Sequence, residues 1–261
     1  MRRSIQFCFS ALAFAVAAVP PCAAESSSDA APRFETYVGG DYDGRAAALT
    51  SSTVWSPFSP VAGEGFRIKL DGLASTYGDT NASVFSSNFL AADLKALGDA
   101  MAGYQIHYGP LWLKLYAGAA YQAQTRAFWE AGQIIQQNAW GAAAAIESFW
   151  RVSDRIWTSA NVSWLQFDNT VSLYSRGAYE FYRGAGGLRI SAGAEAGVTA
   201  SNDGLFKEGR ALDLYNNYVR TGPLLNLRYG LNDFSLSGGL SQASDETALR
   251  PYASIRYGRQ F

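Results

Sequence analysis

RPYASIRYGRQF, residues 250–261, alternates apolar and polar side chains. One face carries Ala253, Ile255, Tyr257 and Phe261. Arg259 alone interrupts that face, and its long side chain can reach an interface. Strict alternation predicts a β-strand with one apolar face. A strand that ends on an aromatic residue is typical of bacterial outer-membrane proteins, so we expect Tyr257 and Phe261 to form an assembly signal.

The same two-residue period recurs along the chain. It is clearest in residues 66–71, 111–118, 156–164 and 188–199. We predict strands at 34–42, 45–55, 65–77, 100–108, 111–124, 138–149, 156–167, 170–182, 187–200, 216–229, 232–241 and 249–261. One segment, 89–100, is predicted instead as a short helix within a loop, because Phe89, Leu90, Leu94 and Leu97 have helical spacing.

The lengths of strands and connectors separate a membrane barrel from a soluble sheet. Many predicted strands exceed the five or six residues usual in soluble sheets and reach the roughly 9–11 residues that a tilted transmembrane strand needs. Short connectors at 109–110, 151–155, 183–186 and 230–232 alternate with long ones near 78–99, 125–137 and 201–215. We therefore predict an all-β, single antiparallel transmembrane barrel of about 12 strands, with both chain ends on the periplasmic side. A soluble periplasmic β-sandwich is the rival fold.

The first 24 residues predict export. Arg2 and Arg3 precede an apolar run at 5–19, and Cys22-Ala23-Ala24 offers small residues for cleavage before Glu25. We predict a signal peptide at 1–24, a flexible leader at 25–33, and a barrel at 34–261 in the outer membrane of a Gram-negative bacterium. A membrane anchor and a lipoprotein signal are less favoured readings.

Removal of this segment changes the composition of the chain. Both cysteines leave, so the mature chain has no disulfide. The loss of Arg2 and Arg3 leaves 19 basic against 22 acidic residues, a net charge of −3. An acidic balance argues against a nucleic-acid partner.

Aromatic residues fall near the ends of the predicted strands. Amphipathic rings prefer the membrane–water boundary, which predicts two girdles. The periplasmic girdle is predicted to contain Trp55, Tyr108, Trp112, Trp150, Trp157, Tyr182, Tyr229 and Phe261, and the outer girdle Trp140, Trp164 and Tyr252.

The sequence offers little support for a catalytic site or a metal site. His107 is the one histidine, and Gln105 and Gly109 stand where a strand-borne serine partner would be. We expect an inward polar residue near the periplasmic rim, no enzyme activity, no cofactor and no metal. Asp41 and Asp43 suggest a turn more than a calcium site.

The face opposite the apolar stripe carries eight basic and four acidic residues, which predicts a lumen of positive bias. Its basic members are Arg67, Lys69, Lys114, Arg176, Arg189, Arg220, Arg228 and Arg256, and its acidic members are Asp71, Glu147, Glu180 and Glu195. Predicted glycan contacts are Arg67, Lys69, Lys114, Tyr116, Trp157, Tyr174, Arg176 and Arg189. The alternative is that these side chains pair with one another and fill a narrow barrel.

Several segments resemble the cellulose biosynthesis protein BcsS family of alphaproteobacteria. They are YVGGDYDG at 37–44, SPFSPVAGEGFRIK at 56–69, GYQIHYGPLWLKLYAGAAYQ at 103–122, GAEAGV at 193–198 and RPYASI at 250–255. The resemblance implies an outer-membrane component of a cellulose synthesis and secretion system.

We accordingly expect a non-enzymatic barrel that assists export or surface anchoring of a β-glucan. Its expected partners are outer-membrane lipids, the outer-membrane assembly machinery, components of a cellulose synthase complex and the β-glucan itself. A general porin or structural outer-membrane protein is the first alternative, and a lipid-modifying barrel enzyme is the second.

Overall fold

The computed structural model describes residues 31–43, 46–77, 90–128, 133–167, 169–201, 218–243 and 248–261. Residues Pro32–Phe261 form one compact unit. The predicted signal peptide and most of the predicted leader lie outside the described residues. Among the residues described, none belongs to a helix long and apolar enough to cross a membrane.

The described residues form twelve strands that close into an antiparallel barrel. The strands are β1 Phe34–Tyr42, β2 Ala46–Trp55, β3 Gly65–Tyr77, β4 Leu90–Tyr108, β5 Leu111–Phe128, β6 Gln133–Arg151, β7 Ile156–Leu165, β8 Thr170–Arg183, β9 Arg189–Ala200, β10 Tyr218–Tyr229, β11 Asn232–Ala243 and β12 Arg250–Gln260. Each strand pairs with its neighbours in sequence, and β12 returns to β1. The predicted twelve-stranded barrel is confirmed, and the rival sandwich is wrong because this sheet closes on itself.

The closing seam joins β1 to β12 over eight paired residues, from Glu35 opposite Gln260 to Tyr42 opposite Ala253. Beyond the strands, the Phe261 carbonyl accepts hydrogen bonds from the backbone N–H groups of Arg33 at 2.6 Å and Phe34 at 3.1 Å. The Phe261 N–H donates to the Phe34 carbonyl at 2.8 Å. The seam therefore extends to the end of the sequence.

The predicted helix at 89–100 is wrong from Leu90 onward, and Phe89 lies outside the described residues. Residues 90–100 begin β4, where Asp93 is paired with Tyr77 of β3 and Arg126 of β5. From Asp93 onward this segment is paired with a strand on each side, which gives its backbone groups partners. A short helix in a loop would gain fewer tertiary contacts than this strand. Helical spacing of apolar residues is a weak prior, and tertiary contacts override it here.

Side chains alternate between the two faces of the wall. In β3, Leu70 is 53% exposed on the outside whereas Lys69 is 4% exposed in the lumen. In β12, Ile255 and Tyr257 are exposed whereas Tyr252 and Ser254 are buried. An apolar outer face with a polar interior is the arrangement of a membrane barrel.

The two ends of the barrel differ in their connectors. One end, here called the turn end, holds residues Arg33 and Phe261 and the connectors 56–64, 109–110, 152–155, 184–188 and 230–231. The other, the loop end, holds the connectors 43–45, 78–89, 129–132, 166–169, 201–217 and 244–249. Segment 56–64 is the exception in length at the turn end.

Three aromatic residues assigned to the girdles face the lumen instead. Trp112 and Trp157 lie on the inward face near the turn end, where both pack against Phe149. Tyr252 is 5% exposed inside the barrel. Each of the three lies an even number of positions from polar residues that face the lumen on the same strand. Successive side chains of a strand point to opposite faces, so residues at even spacing share a face. Outward aromatic residues do occur at strand ends: Tyr108, the last residue of β4, is 66% exposed, and Trp55, the last residue of β2, is 40% exposed.

Candidate functional site

Segment 56–64, here called the plug, folds into the lumen at the turn end. Arg67 of β3 is fully buried beneath it. The Arg67 Nη1 atom donates to Ser56 Oγ at 2.7 Å and Ser59 Oγ at 3.0 Å. The Nη2 atom donates to the carbonyls of Pro60 at 3.2 Å and Gly63. A guanidinium has five N–H donors, so one side chain can hold several turns of the plug.

The plug is also attached to β4 and to the chain before β1. Gln105 is fully buried, and its Nε2 donates to the carbonyls of Val61 at 3.2 Å and Gly63 at 2.8 Å. The Val61 N–H donates to the Pro32 carbonyl at 2.7 Å. Arg67 is therefore buried and bound to the plug, and its role as a glycan contact stays a prediction.

A row of rings lines the rest of the turn end. His107 stacks on Trp112 at 4.7 Å between ring centroids, and the row continues through Phe149 at 5.9 Å and Trp157 at 6.1 Å. The Nε2 atoms of His107 and Gln105 are 2.9 Å apart. The predicted place of His107, inward near the rim, is where the structure has it. Trp157 is half-buried at the end of this row.

Two lysines meet three carboxylates on the wall formed by β1, β3, β5 and β6. Lys69 Nζ is 2.8 Å from Asp71 and 2.6 Å from Glu147. Lys114 Nζ is 3.2 Å from Glu35 and 3.8 Å from Glu147. We call these five residues the lysine cluster. Each lysine faces two carboxylates, so both cations are paired within the cluster.

Apolar side chains pack beside the lysine cluster, toward the loop end of β4, β5 and β6. This group consists of Met101, Tyr116, Ala120, Ala143 and Ala145. Tyr116 is 4% exposed, and Lys69 Nζ lies 5.4 Å above its ring. Lys69, Lys114 and Tyr116, all predicted glycan contacts, thus lie in a packed part of the lumen.

A second charged cluster lies across the lumen on β8, β9, β10, β12 and β1. This arginine cluster consists of Asp41, Tyr174, Arg176, Glu195, Arg220, Tyr252 and Arg256. Its centre is the buried carboxylate of Glu195, which accepts hydrogen bonds from Tyr174 OH and, at 3.1 Å, from Tyr252 OH. Arg176 Nε is 3.5 Å and Arg220 Nε is 3.8 Å from the same carboxylate.

The three arginines stack on the two tyrosines. Arg220 lies 5.0 Å from the ring centroid of Tyr174 and 5.2 Å from that of Tyr252, while its Nη1 donates to Asp41 Oδ1 at 2.7 Å. Arg256 lies 4.4 Å from the Tyr174 ring. Arg256 Nε is buried without a hydrogen-bond partner among the described residues. Tyr174 and Arg176, both predicted glycan contacts, are brought together here.

Arg189 lies apart from both clusters. Its Nη1 is 3.8 Å from Glu180 Oε2, and Glu180 also binds Arg183 at 2.5 Å. This trio belongs to the turn end. Of the predicted glycan contacts, only Tyr174 and Arg176 therefore belong to the arginine cluster.

Sequence reasoning missed several inward residues. Glu35 and Asp41 both face the lumen on β1, and each binds a cation there. The alternation in FETYVGGDY places both on one face with Tyr37 and Gly39, so the signal was present in the sequence. With these carboxylates the predicted positive bias of the lumen is largely balanced.

A cavity of about 270 Å³ opens beside the arginine cluster at the loop end. Its lining is formed by Asp41, Tyr42, Asp43, Ala46, Ala48, Tyr218, Arg220 and Tyr252. Asp43 Oδ1 accepts a hydrogen bond from the Ala46 N–H at 2.8 Å, which is turn chemistry. Within the described part of the chain, no group of three or more His, Cys, Asp or Glu side chains is placed to hold a metal ion.

The chain is similar in fold to solved structures of bacterial proteins. LpxR from Salmonella typhimurium is 11% identical, with a TM-score of 0.54, over 87% of this chain and 100% of that chain. The beta domain of the Bordetella autotransporter Brka is 14% identical, with a TM-score of 0.47, over 88% and 98%. The KdgM porin is 8% identical, with a TM-score of 0.46, over 87% and 99%. At such low identity the likeness to LpxR supports the fold alone.

No curated protein sequence matches the chain significantly. A family model does match, and its description is cellulose biosynthesis protein BcsS. The match covers residues 36–224, from β1 into β10, and so includes both charged clusters in large part and the plug. The chain belongs to the cellulose biosynthesis protein BcsS family.

Proposed function

We propose that this protein is a closed outer-membrane barrel of a Gram-negative cellulose synthesis system, which holds the β-glucan at the cell surface and does not conduct it through the lumen. The observation that carries the proposal is the filled interior. A barrel of about eight strands is filled by side chains, whereas 16–18 strands leave an aqueous channel. Twelve strands lie between these cases, so the contents of the lumen decide whether the barrel is closed or forms a channel.

Those contents occupy the lumen at successive levels. At the turn end the plug is held inside by Arg67 and Gln105. Farther along, the lysine cluster crosses from β3 and β5 to β1 and β6, and the apolar group packs beside it. The arginine cluster occupies the opposite wall. A glucan chain would have to displace buried ion pairs, which is costly because each charge would lose its partner.

The orientation follows from the connectors. Short turns face the periplasm and longer loops face the exterior in outer-membrane barrels. The turn end, with the plug, is then periplasmic, and the cavity beside the arginine cluster faces outward. This arrangement favours contact with glucan that has already left the cell.

We further propose that the role is not catalytic. The one histidine is engaged by Gln105 and by the Trp112 ring. Components of the cellulose synthase complex and the outer-membrane assembly machinery are the partners that this role requires.

Deletion of the gene tests the proposal. We expect cells without this protein to synthesise glucan and release it into the medium, whereas cells with the wild-type gene retain it at the surface. The measurement is the glucan content of washed cells, medium and periplasm. Glucan that accumulates in the periplasm would indicate an export channel and would overturn surface anchoring.

Conductance separates the closed barrel from the porin alternative. We expect the purified protein to insert into planar bilayers without discrete ion-conducting steps. The insertion itself is verified by heat-modifiable gel mobility of the recovered protein. Steady single-channel steps from the wild-type protein, in the absence of glucan, would favour a porin.

A further inference from the structure

We infer that the cavity at the loop end is a saccharide subsite, which takes one neutral glucose residue of a β-glucan chain. This inference rests on the proposed function, because the glucan must reach the outer end of the barrel. The cavity lies where β1 ends and where β2, β10 and β12 begin. Its chemical character follows from its space, its rings and its charges.

Small side chains create the space. Ala46 and Ala48 are the inward residues of β2 at this level, and both line the cavity. The cavity has a volume of about 270 Å³. That is near the lower limit for small-molecule sites and suits a ligand the size of a single sugar ring.

Tyrosine rings supply the surface. Tyr218 and Tyr252 line the cavity from β10 and β12. The C–H face of a pyranose ring can pack on such rings, while phenolic hydroxyls remain close to sugar hydroxyls. Tyr252 is held in place by Glu195, through a 3.1 Å hydrogen bond, and by Arg220 at 5.2 Å from the ring. A ring already fixed loses little side-chain entropy when a ligand binds.

The charges of the lining favour a neutral ligand. Among the described residues of the lining, Arg220 is the single cation, and it is paired with Asp41 at 2.7 Å. With Asp43 the lining has two carboxylates to one guanidinium. An anion such as phosphate would meet this acidic excess, whereas the hydroxyls of a sugar can both donate to carboxylates and accept from a guanidinium.

A matched pair of substitutions on adjacent residues of β2 tests the inference. Ala48→Leu fills the cavity, whereas Ala47→Leu makes the same change on the outward face. The measurement is calorimetric titration of the detergent-folded protein with cellohexaose. We expect Ala48→Leu to weaken binding about tenfold or more and Ala47→Leu to leave it unchanged, where tenfold corresponds to about 1.4 kcal/mol.

Each alternative result has a definite meaning. Absence of cellohexaose binding to the wild type, equal binding by both variants, or competition by inorganic phosphate would overturn the subsite. If surface retention of glucan in cells still depended on the protein, the proposed function would stand while this inference failed. If Ala48→Leu did not fold, Tyr218→Ala with Tyr229→Ala as its control would give the same test, because Tyr229 lies exposed at the turn end.

Discussion

The two charged clusters use opposite ratios of cation to carboxylate in the same lumen. The lysine cluster places two cations among three carboxylates, and each lysine lies within 4 Å of two of them. The arginine cluster places three cations beside two carboxylates and adds two tyrosines. A lysine is a compact charge that pairs at a point, whereas an arginine also stacks on rings.

The surroundings of the two clusters also differ. Apolar side chains pack beside the lysine cluster, and the described cavity opens beside the arginine cluster. The wall that carries the lysine cluster is therefore packed, whereas the wall that carries the arginine cluster leaves a surface open to the cavity. Four substitutions test this division, from the largest expected effect to the smallest.

Lys69→Met should cost the most stability. Lys69 is 5% exposed and lies between the half-buried carboxylates of Asp71 and Glu147, so its removal takes the cation from Asp71 and leaves Glu147 with Lys114 at 3.8 Å. Loss of one partner from a buried ion pair costs about 3–5 kcal/mol. Urea unfolding of the protein in lipid vesicles measures the change. A loss below about 1 kcal/mol would show that water reaches this cluster, as it does in exposed ion pairs.

Arg67→Ala should release the plug. The side chain donates to two hydroxyls and several carbonyls of segment 56–64, and hydrogen bonds from a charged donor contribute about 1.5–3 kcal/mol each without being additive. We expect a loss of at least about 2 kcal/mol in urea unfolding and the appearance of ion conductance in planar bilayers. Arg155→Ala, in the exposed turn 152–155, is the control. Lower stability without conductance would mean that the lysine cluster blocks the lumen by itself.

Tyr252→Phe should have a moderate effect. The substitution removes the hydroxyl that donates to Glu195 at 3.1 Å and keeps the ring beside Arg220. A hydrogen bond to a charged acceptor supports a loss of about 1.5 kcal/mol. Tyr229→Phe on the exposed surface should change nothing measurable in the same unfolding assay. An unchanged Tyr252→Phe protein would indicate that Tyr174 alone satisfies Glu195.

Arg256→Met should have the smallest effect on stability, although it replaces an inward cation with methionine just as Lys69→Met does. No described carboxylate lies within ion-pair distance of Arg256, and its Nε has no hydrogen-bond partner among the described residues. The variant loses a stacking contact with Tyr174, worth about 0.5–1 kcal/mol, and also removes a poorly compensated charge. We expect a net change below about 1 kcal/mol. Equal losses in Arg256→Met and Lys69→Met would remove the distinction between the clusters.

The fold was accessible to sequence reasoning because alternation and connector length depend on local residues. Eleven of the predicted strands needed only shifts or extensions of their ends, and β4 was the main error. Parity also assigned Lys69, Lys114 and Arg176 to the lumen. Trp112, Trp157 and Tyr252 were assigned to the girdles because they lie near strand ends, without regard to which face of the strand they occupy. Their predicted girdle membership was wrong.

The site was less accessible because periodicity gives the face of a strand and not its partners around the barrel. Lys114 meets Glu35, and Arg220 meets Asp41, across 79 and 179 residues of sequence. Such pairs depend on strand number and register, which no local pattern contains. The inward course of the plug was also unpredictable, since the sequence shows only that 56–64 is long for a periplasmic turn and not that Arg67 and Gln105 lie beneath it.

The seam between β1 and β12 has a kinetic consequence. Its eight residue pairs join strands at opposite ends of the barrel sequence, so closure brings together the most distant segments and is expected to be slow. Before closure, β1 and β12 both present unpaired edges, which are prone to pair with other chains. The reverse step requires the loss of this whole ladder together with the backbone bonds at Phe261. The ladder that makes closure slow therefore also makes reopening rare.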